Sequence, residues 1–500
     1  MISKLKYEYV LILISLFSIF LINLMLSLYS QNDLCLDCEN YLESAIYLFK
    51  NFEVHYYRPI GLSIIYGFPI LFGYHNYLDL YNYVIIINIL FYTGIIIYFF
   101  KICCLFFDKK KSFYFSLVLL TYFGISLHLN EMLSEIPFIF FILVAFYCLA
   151  KYYLLSKTDY LFYAISLFLF TILIRPGIFY FAFGILIFYL FTIYKNWSIK
   201  RILILIIPVF LILFQIIKMK EQYGNYTISY IDAVTYYNYL GSKAICLKYD
   251  KTLNQNSNER ADFIFNETYK NQKNIAYKDL IYQIKNNTYY LVKAYFDDVE
   301  ENTKTATSRL QNLKNIENEK YFDVKIKVFS EITEWQNKLT TLFGLLLALY
   351  FTLTFNKHNK VVFVFALYFI YIFLISGISS TQGDRFHIVF YPIVLLLLLI
   401  FLKNIKNITN KYIKKVNACA ITIPFIPIVC NMKFVEKYRI HKEIISVIIN
   451  TFVCFVAIKI VPKIKEIAFN KSPNNCQKNN DYIVSNSEEN KTCIMNFLKK

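Results

Sequence analysis

A few charged residues stand at the edges of apolar runs, where charge is expensive. Glu135 opens one run two residues before Pro137, Arg175 closes another just before Pro176, and Asp384 and Arg385 open a third. Asp37 and Arg58 lie in the polar loop after the first run. Carboxylates move protons or pair with cations, and guanidinium groups hold carboxylate or phosphate in a planar fork. Ionisable groups at membrane depth are rare and point to function by default. The bland rival is that each one anchors a helix end by snorkelling. A set gathered on one face argues instead for a polar cavity.

The elements that must position these groups are apolar helices. The chain is 57% hydrophobic and 17% charged, against about 25% charged in soluble domains. Runs long enough to span hydrocarbon recur at about 8–29, 80–101, 113–130, 134–154, 158–174, 177–194, 201–217, 338–355, 361–379 and 386–402. Two further apolar segments, 416–432 and 443–461, precede a polar tail. The expectation is an all-α polytopic membrane protein crossing a bilayer about ten to thirteen times. No small-residue cleavage site follows the first run, which therefore reads as an uncleaved span. Segment 59–73, with Pro59, Gly61, Gly67, Pro69 and Gly73, reads as an interfacial helix that does not cross.

Lysines give an orientation. Lys4 and Lys6, Lys109 to Lys111, Lys151 and Lys157, Lys195 and Lys200, Lys357 and Lys360, and Lys403 to Lys415 fall on one side if 59–73 stays out. By the positive-inside rule that side is cytoplasmic. The net charge of +18 is thus assigned to topology rather than to nucleic acid. Asp37, Arg58, Glu135, Arg175, Asp384 and Arg385 then share the external face. The expected domains are an N-terminal transmembrane module (1–217) with an external first loop (30–79), and a small external domain or set of interfacial helices (218–337). Spans completing the cavity follow (338–402), then a C-terminal extension (403–500) with one or two membrane segments.

Several chemistries are excluded. There is no G-x-x-x-x-G-K-[ST] loop, no H-E-x-x-H, no dinucleotide-binding fingerprint, and no metal-ligand spacing among the six histidines. An external site without nucleotide sugars needs a lipid-carried donor. Cys35 and Cys38 flank Asp37, and three readings stay open: a local disulfide, half a metal site, or chance.

The first loop reads Asp37-Cys38-Glu39-Asn40-Tyr41-Leu42-Glu43-Ser44-Ala45, followed by Arg58-Pro59-Ile60-Gly61 and Phe68-Pro69-Ile70-Leu71-Phe72-Gly73. It resembles the first external loop of the polyprenyl-phosphate-sugar-dependent glycosyltransferases of the GT-C fold, a group that includes bacterial aminoarabinose transferases and protein O-mannosyltransferases. Ser134-Glu135-Ile136-Pro137-Phe138 resembles the family's span start. Ile174-Arg175-Pro176 resembles its T-R-P turn, with Ile174 where the family has Thr. Gly383-Asp384-Arg385-Phe386 through Tyr391-Pro392 resembles its late R-[YF]-x-x-x-x-P span. The likeness covers roughly residues 8–402.

The resemblance implies a GT-C-like helical bundle that moves a sugar from a polyprenyl-phosphate carrier to a hydroxyl of a lipid, glycan or protein, with inversion. Asp37 would be the base. Arg385, Arg58, Arg175 and His387 would bind the donor phosphate, and Glu135, Tyr41 and Glu39 would support them. Asp33 or Glu39 is the rival for the base. No cofactor is required by the pattern, and a divalent metal is left open. The membrane favoured is a bacterial plasma membrane with the site facing outward. The alternative is a transporter or flippase of lipid-linked saccharides, although no inverted repeat is visible. A polysaccharide polymerase or ligase would keep key residues in a late loop, and clustered charge argues against a noncatalytic scaffold.

Overall fold

Apolar stretches without proline become helices, and proline or a capping side chain sets where they stop. A computed structural model describes residues 6–26, 28, 36–74, 76–254, 258–311, 313–315, 321–355, 360–379 and 383–418. Among them there is no strand. The chain runs through α1 (Tyr7–Leu26), α2 (Leu36–Ile46), α3 (Ile60–Tyr66), α4 (Tyr77–Phe106), α5 (Lys109–Leu120) and α6 (Phe123–Leu127). It continues with α7 (Glu135–Leu155), α8 (Asp159–Ile172), α9 (Phe179–Lys195) and α10 (Ile199–Tyr223). A layer of shorter helices follows: α11 (Ile231–Thr235), α12 (Ser242–Lys248), α13 (Glu259–Phe265), α14 (Tyr269–Asn286), α15 (Thr288–Lys304) and α16 (Ser308–Gln311). The bundle ends with α17 (Phe322–Leu353), α18 (Lys360–Ser376) and α19 (Tyr391–Ala418).

Among the described residues, six helical segments are long and apolar enough to cross a membrane, or seven if the α5–α6 pair, bent by 57°, counts as one span. The protein is therefore a multi-pass integral membrane protein; the expected ten to thirteen crossings included 416–432 and 443–461, which lie almost wholly outside the described residues. Two of the expected spans, 158–174 and 361–379, form helices too short to qualify. The 14 residues of α8 reach about 21 Å and the 17 of α18 about 26 Å at a rise of 1.5 Å, short of the roughly 30 Å hydrocarbon core. Segment 59–73, expected not to cross, forms α3 and a 3-10 turn at Phe68–Phe72.

The core is aromatic and close-packed. Phe146 of α7 meets Phe168 of α8 and Phe365 and Tyr368 of α18 edge-on, at centroid separations of 5.3, 5.0 and 5.1 Å. Such contacts matter inside a bilayer, where burial from lipid has little hydrophobic driving force and packing must supply the association.

The region expected as a small external domain is helical and has an apolar core of its own around Tyr236, Tyr237, Leu240, Ala244, Ile264, Ala276 and Ala294. Its boundaries differ from expectation. The α10 helix runs to Tyr223, and α17 passes without a break through the anticipated boundary at 337–338. No proline interrupts 322–353, so the polar first half of α17 simply continues into its apolar half. The helical run anticipated at 276–299 is split at Asn287 into α14 and α15. Residues up to Lys415 form one compact unit. Of the C-terminal extension, 403–418 continues α19 as helix. Of the expected segment 416–432 only the first three residues are described, as the end of α19, and the rest of it, segment 443–461 and the tail lie outside the described residues.

Candidate functional site

Proline places the site's charged side chains. Pro59 is the N-cap of α3, and the residue before a proline is pushed out of helical conformation, which sets Arg58 on the loop. Arg175 is extended (φ −141°, ψ 102°) ahead of Pro176, so it breaks the path between α8 and α9 and turns at their junction. Pro137 sits in the first turn of α7, where its missing N–H costs nothing, and this lets Glu135 start the helix. Asp37 lies in the first turn of α2, and Arg385 on a 3-10 turn at Gly383–Phe386 that precedes α19.

These five residues form one chain of ion pairs. Arg58 Nη2 donates to Asp37 Oδ1 at 2.6 Å, and Arg385 Nη1 donates to Asp37 Oδ2 at 2.9 Å. The Nε of Arg385 donates to Glu135 Oε1 at 2.8 Å, and Arg175 Nη1 lies 3.6 Å from that same oxygen. Arg175 also donates to the backbone carbonyl of Arg385 at 3.3 Å. Tyr41 completes the cluster: Arg58 lies 4.5 Å over its ring and donates to its hydroxyl at 3.5 Å. By formal charge three guanidinium groups face two carboxylates, so the cluster is left with one positive charge. Glu135 is wholly buried and its Oε2 has no hydrogen-bond partner, whereas the Asp37 side chain is 35% exposed. Burial alone would push the Asp37 carboxyl up. The guanidinium groups of Arg58 and Arg385 outweigh that and hold it down at about 2.

The loop bearing Arg58 is stitched down. The Arg58 and Tyr57 amides both donate to His55 Nδ1 at 3.2 Å, and Ser44 Oγ donates to the Arg58 carbonyl at 3.2 Å. Burial, with Arg58 adding to it, drives His55 down to about 3, so at neutral pH its imidazole is the neutral acceptor those amides need. Gln215 of α10 accepts from the Ile60 amide, and Ser229 donates to the Tyr57 carbonyl. Gly61 donates to the Leu173 carbonyl at 3.0 Å, which ties the Arg58 loop to the segment carrying Arg175. Only glycine fits there: a Cβ on Gly61 would stand 2.5 Å from the Leu173 oxygen.

His387 is not in this cluster, which corrects the expectation that it binds the same phosphate. Its Nδ1 donates to Asn337 Oδ1 at 2.7 Å, with Thr341 Oγ1 at 3.1 Å and Ser376 Oγ 3.4 Å from Nε2. Arg385 lies within the 3-10 turn Gly383–Phe386 and His387 just beyond it, at the start of the next, and the two side chains meet different partners. Glu39 is exposed and stands outside the cluster, and Asp33 lies outside the described residues. Cys38 is disulfide-bonded, so the chance reading fails for it, and it offers no thiolate to a metal. Among the described residues no group of three or more His, Cys, Asp or Glu could hold a metal ion.

Sequence reasoning missed a second buried network beside the first. His128 Nδ1 donates to Glu131 Oε2 at 2.5 Å, and Arg309 donates to Glu131 Oε1 at 3.5 Å. Asp384 lies 3.7 Å from His128 Nε2 and accepts from the Ser308 amide. A signal was available: His128, Glu131 and Glu135 crowd into eight residues of an otherwise apolar region. No family model, curated protein or solved structure matches this chain.

Proposed function

We propose that the protein is a glycosyltransferase that moves a sugar from a polyprenyl-phosphate carrier to a hydroxyl acceptor. The observation that carries this reading is a partly exposed carboxylate, Asp37, held by Arg58 and Arg385 in a cluster of three arginines and two carboxylates that keeps one positive charge. Such a set combines a proton acceptor with a phosphate clamp, which are the two things this transfer needs.

The acceptor hydroxyl gives its proton to Asp37 as its oxygen bonds to the anomeric carbon. The bond from that carbon to the phosphate oxygen breaks, and its electron pair leaves with the polyprenyl phosphate. One displacement inverts the anomeric configuration. Arg58 and Arg385 meet the charge growing on the phosphate, with Arg175 behind them. Glu135 fixes Arg385, and Tyr41 supports the Arg58 guanidinium. The helices offer lipid-facing surface for the isoprenoid tail, and the layer from α11 to α16 serves acceptor binding.

The lysine pattern favours an outward-facing cluster, the short loops favour a bacterial plasma membrane, and a disulfide at Cys38 suits an oxidising compartment. The bent α5–α6 pair is the feature that favours transport of a lipid-linked saccharide instead, since broken spans are frequent in transporters. The test is transfer from a panel of polyprenyl-phosphate sugars in proteoliposomes, comparing wild type with Asp37→Asn. Loss of at least about a hundredfold in the variant is expected for a missing base. Full activity in Asp37→Asn refutes the base. Wild type that turns over no donor yet carries lipid-linked sugar across the bilayer supports the transporter.

A further inference from the structure

A base held by two arginines at 2.6 and 2.9 Å is badly placed to accept a proton. The same arginines are the groups the donor's phosphate requires. The two demands conflict unless they are met in turn.

We infer that Asp37 is the internal counter-ion of a phosphate-binding site, and that an incoming phosphate exchanges for it on Arg58 and Arg385. The inference rests on the reading of the site given above and deepens it. Three features support the exchange. Asp37 is the exposed member of the cluster, while Glu135 is sealed inside. Arg385 keeps Glu135 through its Nε and Asp37 through its Nη1, so losing Asp37 leaves the guanidinium anchored by its other edge. Arg58 likewise keeps its place over the Tyr41 ring, and its backbone stays bound to His55 and Ser44. The arginines are fixed from behind, and Asp37 stands on the side open to solvent.

The charges also balance through the reaction. With Asp37 ionised the cluster carries one formal positive charge, which matches the single negative charge of a sugar phosphodiester. Transfer turns that diester into a phosphate monoester of charge about −1.5 to −2. In the same step Asp37 becomes neutral by taking the acceptor's proton, and the cluster rises to two positive charges. The proton removed from the acceptor is thus what compensates the leaving phosphate. No net charge is created in a largely buried cluster, where an unmatched charge is costly.

The exchange makes a prediction that a simple base does not. Asp37→Asn should bind inorganic phosphate and farnesyl phosphate more tightly than wild type, because the competing carboxylate is gone. The net preference of the site for ionised over neutral Asp37, from 3.8 to about 2, corresponds to somewhat under a hundredfold at tenfold per unit and sets the scale of the gain. We expect a gain of about 5- to 50-fold by calorimetry on the full chain in detergent. Equal or weaker binding in the folded variant overturns the exchange.

A second measurement needs no variant. Carbodiimide labelling of Asp37 in wild type, read by mass spectrometry, should rise several-fold when inorganic phosphate is added, and a fall or no change overturns the proposal. Neither readout uses sugar transfer. If phosphate binds Asp37→Asn more tightly but no lipid-phosphate donor is turned over, the exchange stands and the transferase reading falls. If transfer proceeds but Asp37→Asn binds no more tightly, the reverse holds.

Discussion

Replacing Gly61 by alanine sets two effects of known size against each other. Gly61 lies in the first turn of α3, and on helix propensity alone alanine should stabilise by about 1 kcal/mol. The structure predicts the opposite. The new Cβ would stand 2.5 Å from the Leu173 carbonyl oxygen and 2.6 Å from its carbon, nearly an ångström inside ordinary contact. Both obstacles are backbone, so no rotamer change relieves them. Overpacking of this kind costs about 1–3 kcal/mol. Separating the strands of chain also stretches the Gly61–Leu173 hydrogen bond, worth about 1 kcal/mol. After subtracting the propensity gain, Gly61→Ala should destabilise by roughly 1–3 kcal/mol. Because Leu173 is two residues from Arg175, phosphate affinity should fall as well. Thermal unfolding in detergent tests the first point and calorimetry the second. Gly184→Ala in α9 is the control: nothing lies within 4 Å of its added Cβ, so propensity alone should act and the midpoint should hold or rise. If Gly61→Ala unfolds no earlier than Gly184→Ala, the account of how the Arg58 and Arg175 segments are joined is wrong.

Two further outcomes are expected. Glu135→Ala leaves Arg385 and Arg175 without their buried counter-ion and should cost about 3–5 kcal/mol, whereas Glu135→Gln should cost less because an amide oxygen can still accept from Arg385 Nε; equal midpoints for the two variants would show that the buried charge is immaterial. Asp298 on α15 is buried beside Lys243, which it shares with Glu301 at 3.1 Å, and burial pushes its carboxyl up to about 7. The native state therefore binds this proton more tightly than the unfolded chain does. Its stabilising contribution is complete below about 3.8 and is lost as pH rises through about 7. Asp298→Asn should flatten the fall in unfolding midpoint between pH 5 and pH 8, and parallel curves for variant and wild type would refute the assignment.

What the sequence disclosed follows from where the physics is local. Arg175-Pro176 and Arg58-Pro59 advertise turns because proline constrains its predecessor, and a charge at such a turn is visible against apolar neighbours. Asp37, Glu135 and Arg385 carry no such turn signal, and it is the lysine orientation that puts them on the same face as Arg58 and Arg175. The crossing number was less legible, because hydropathy does not show where a helix stops. The α8 helix ends at Ile172 although apolar residues continue through Ile174. The uncharged polar contacts were not legible at all. Asn337 bonds the carbonyls of Asn302 and Thr305, and Asn302 bonds those of Ser376 and Ser379. Asparagine is common in this chain, and nothing in its spacing marks the few copies that hold elements together. His387 was misjudged for the same reason: its neighbour Arg385 suggested phosphate, while its actual partners lie on α17 and α18.

Arg385 shows why the cluster reads as a site rather than as a structural staple. Its two near neighbours in sequence are gripped by different networks: Asp384 by His128 and the Ser308 amide, and His387 by Asn337 and Ser376. Its own carbonyl is taken by Arg175. So much fixing of one guanidinium would be wasteful if stability were the end. Buried ion pairs seldom stabilise more than apolar residues of the same volume, and a membrane bundle can be packed without them. If charge were nonetheless kept for specificity, balanced pairs would be the least costly arrangement. Here three arginines face two carboxylates, and the surplus sits against the one carboxylate that reaches solvent. An arrangement that bears this cost is explained when an anion completes it, and a phosphate presented from the membrane is the anion whose geometry a row of guanidinium groups fits best.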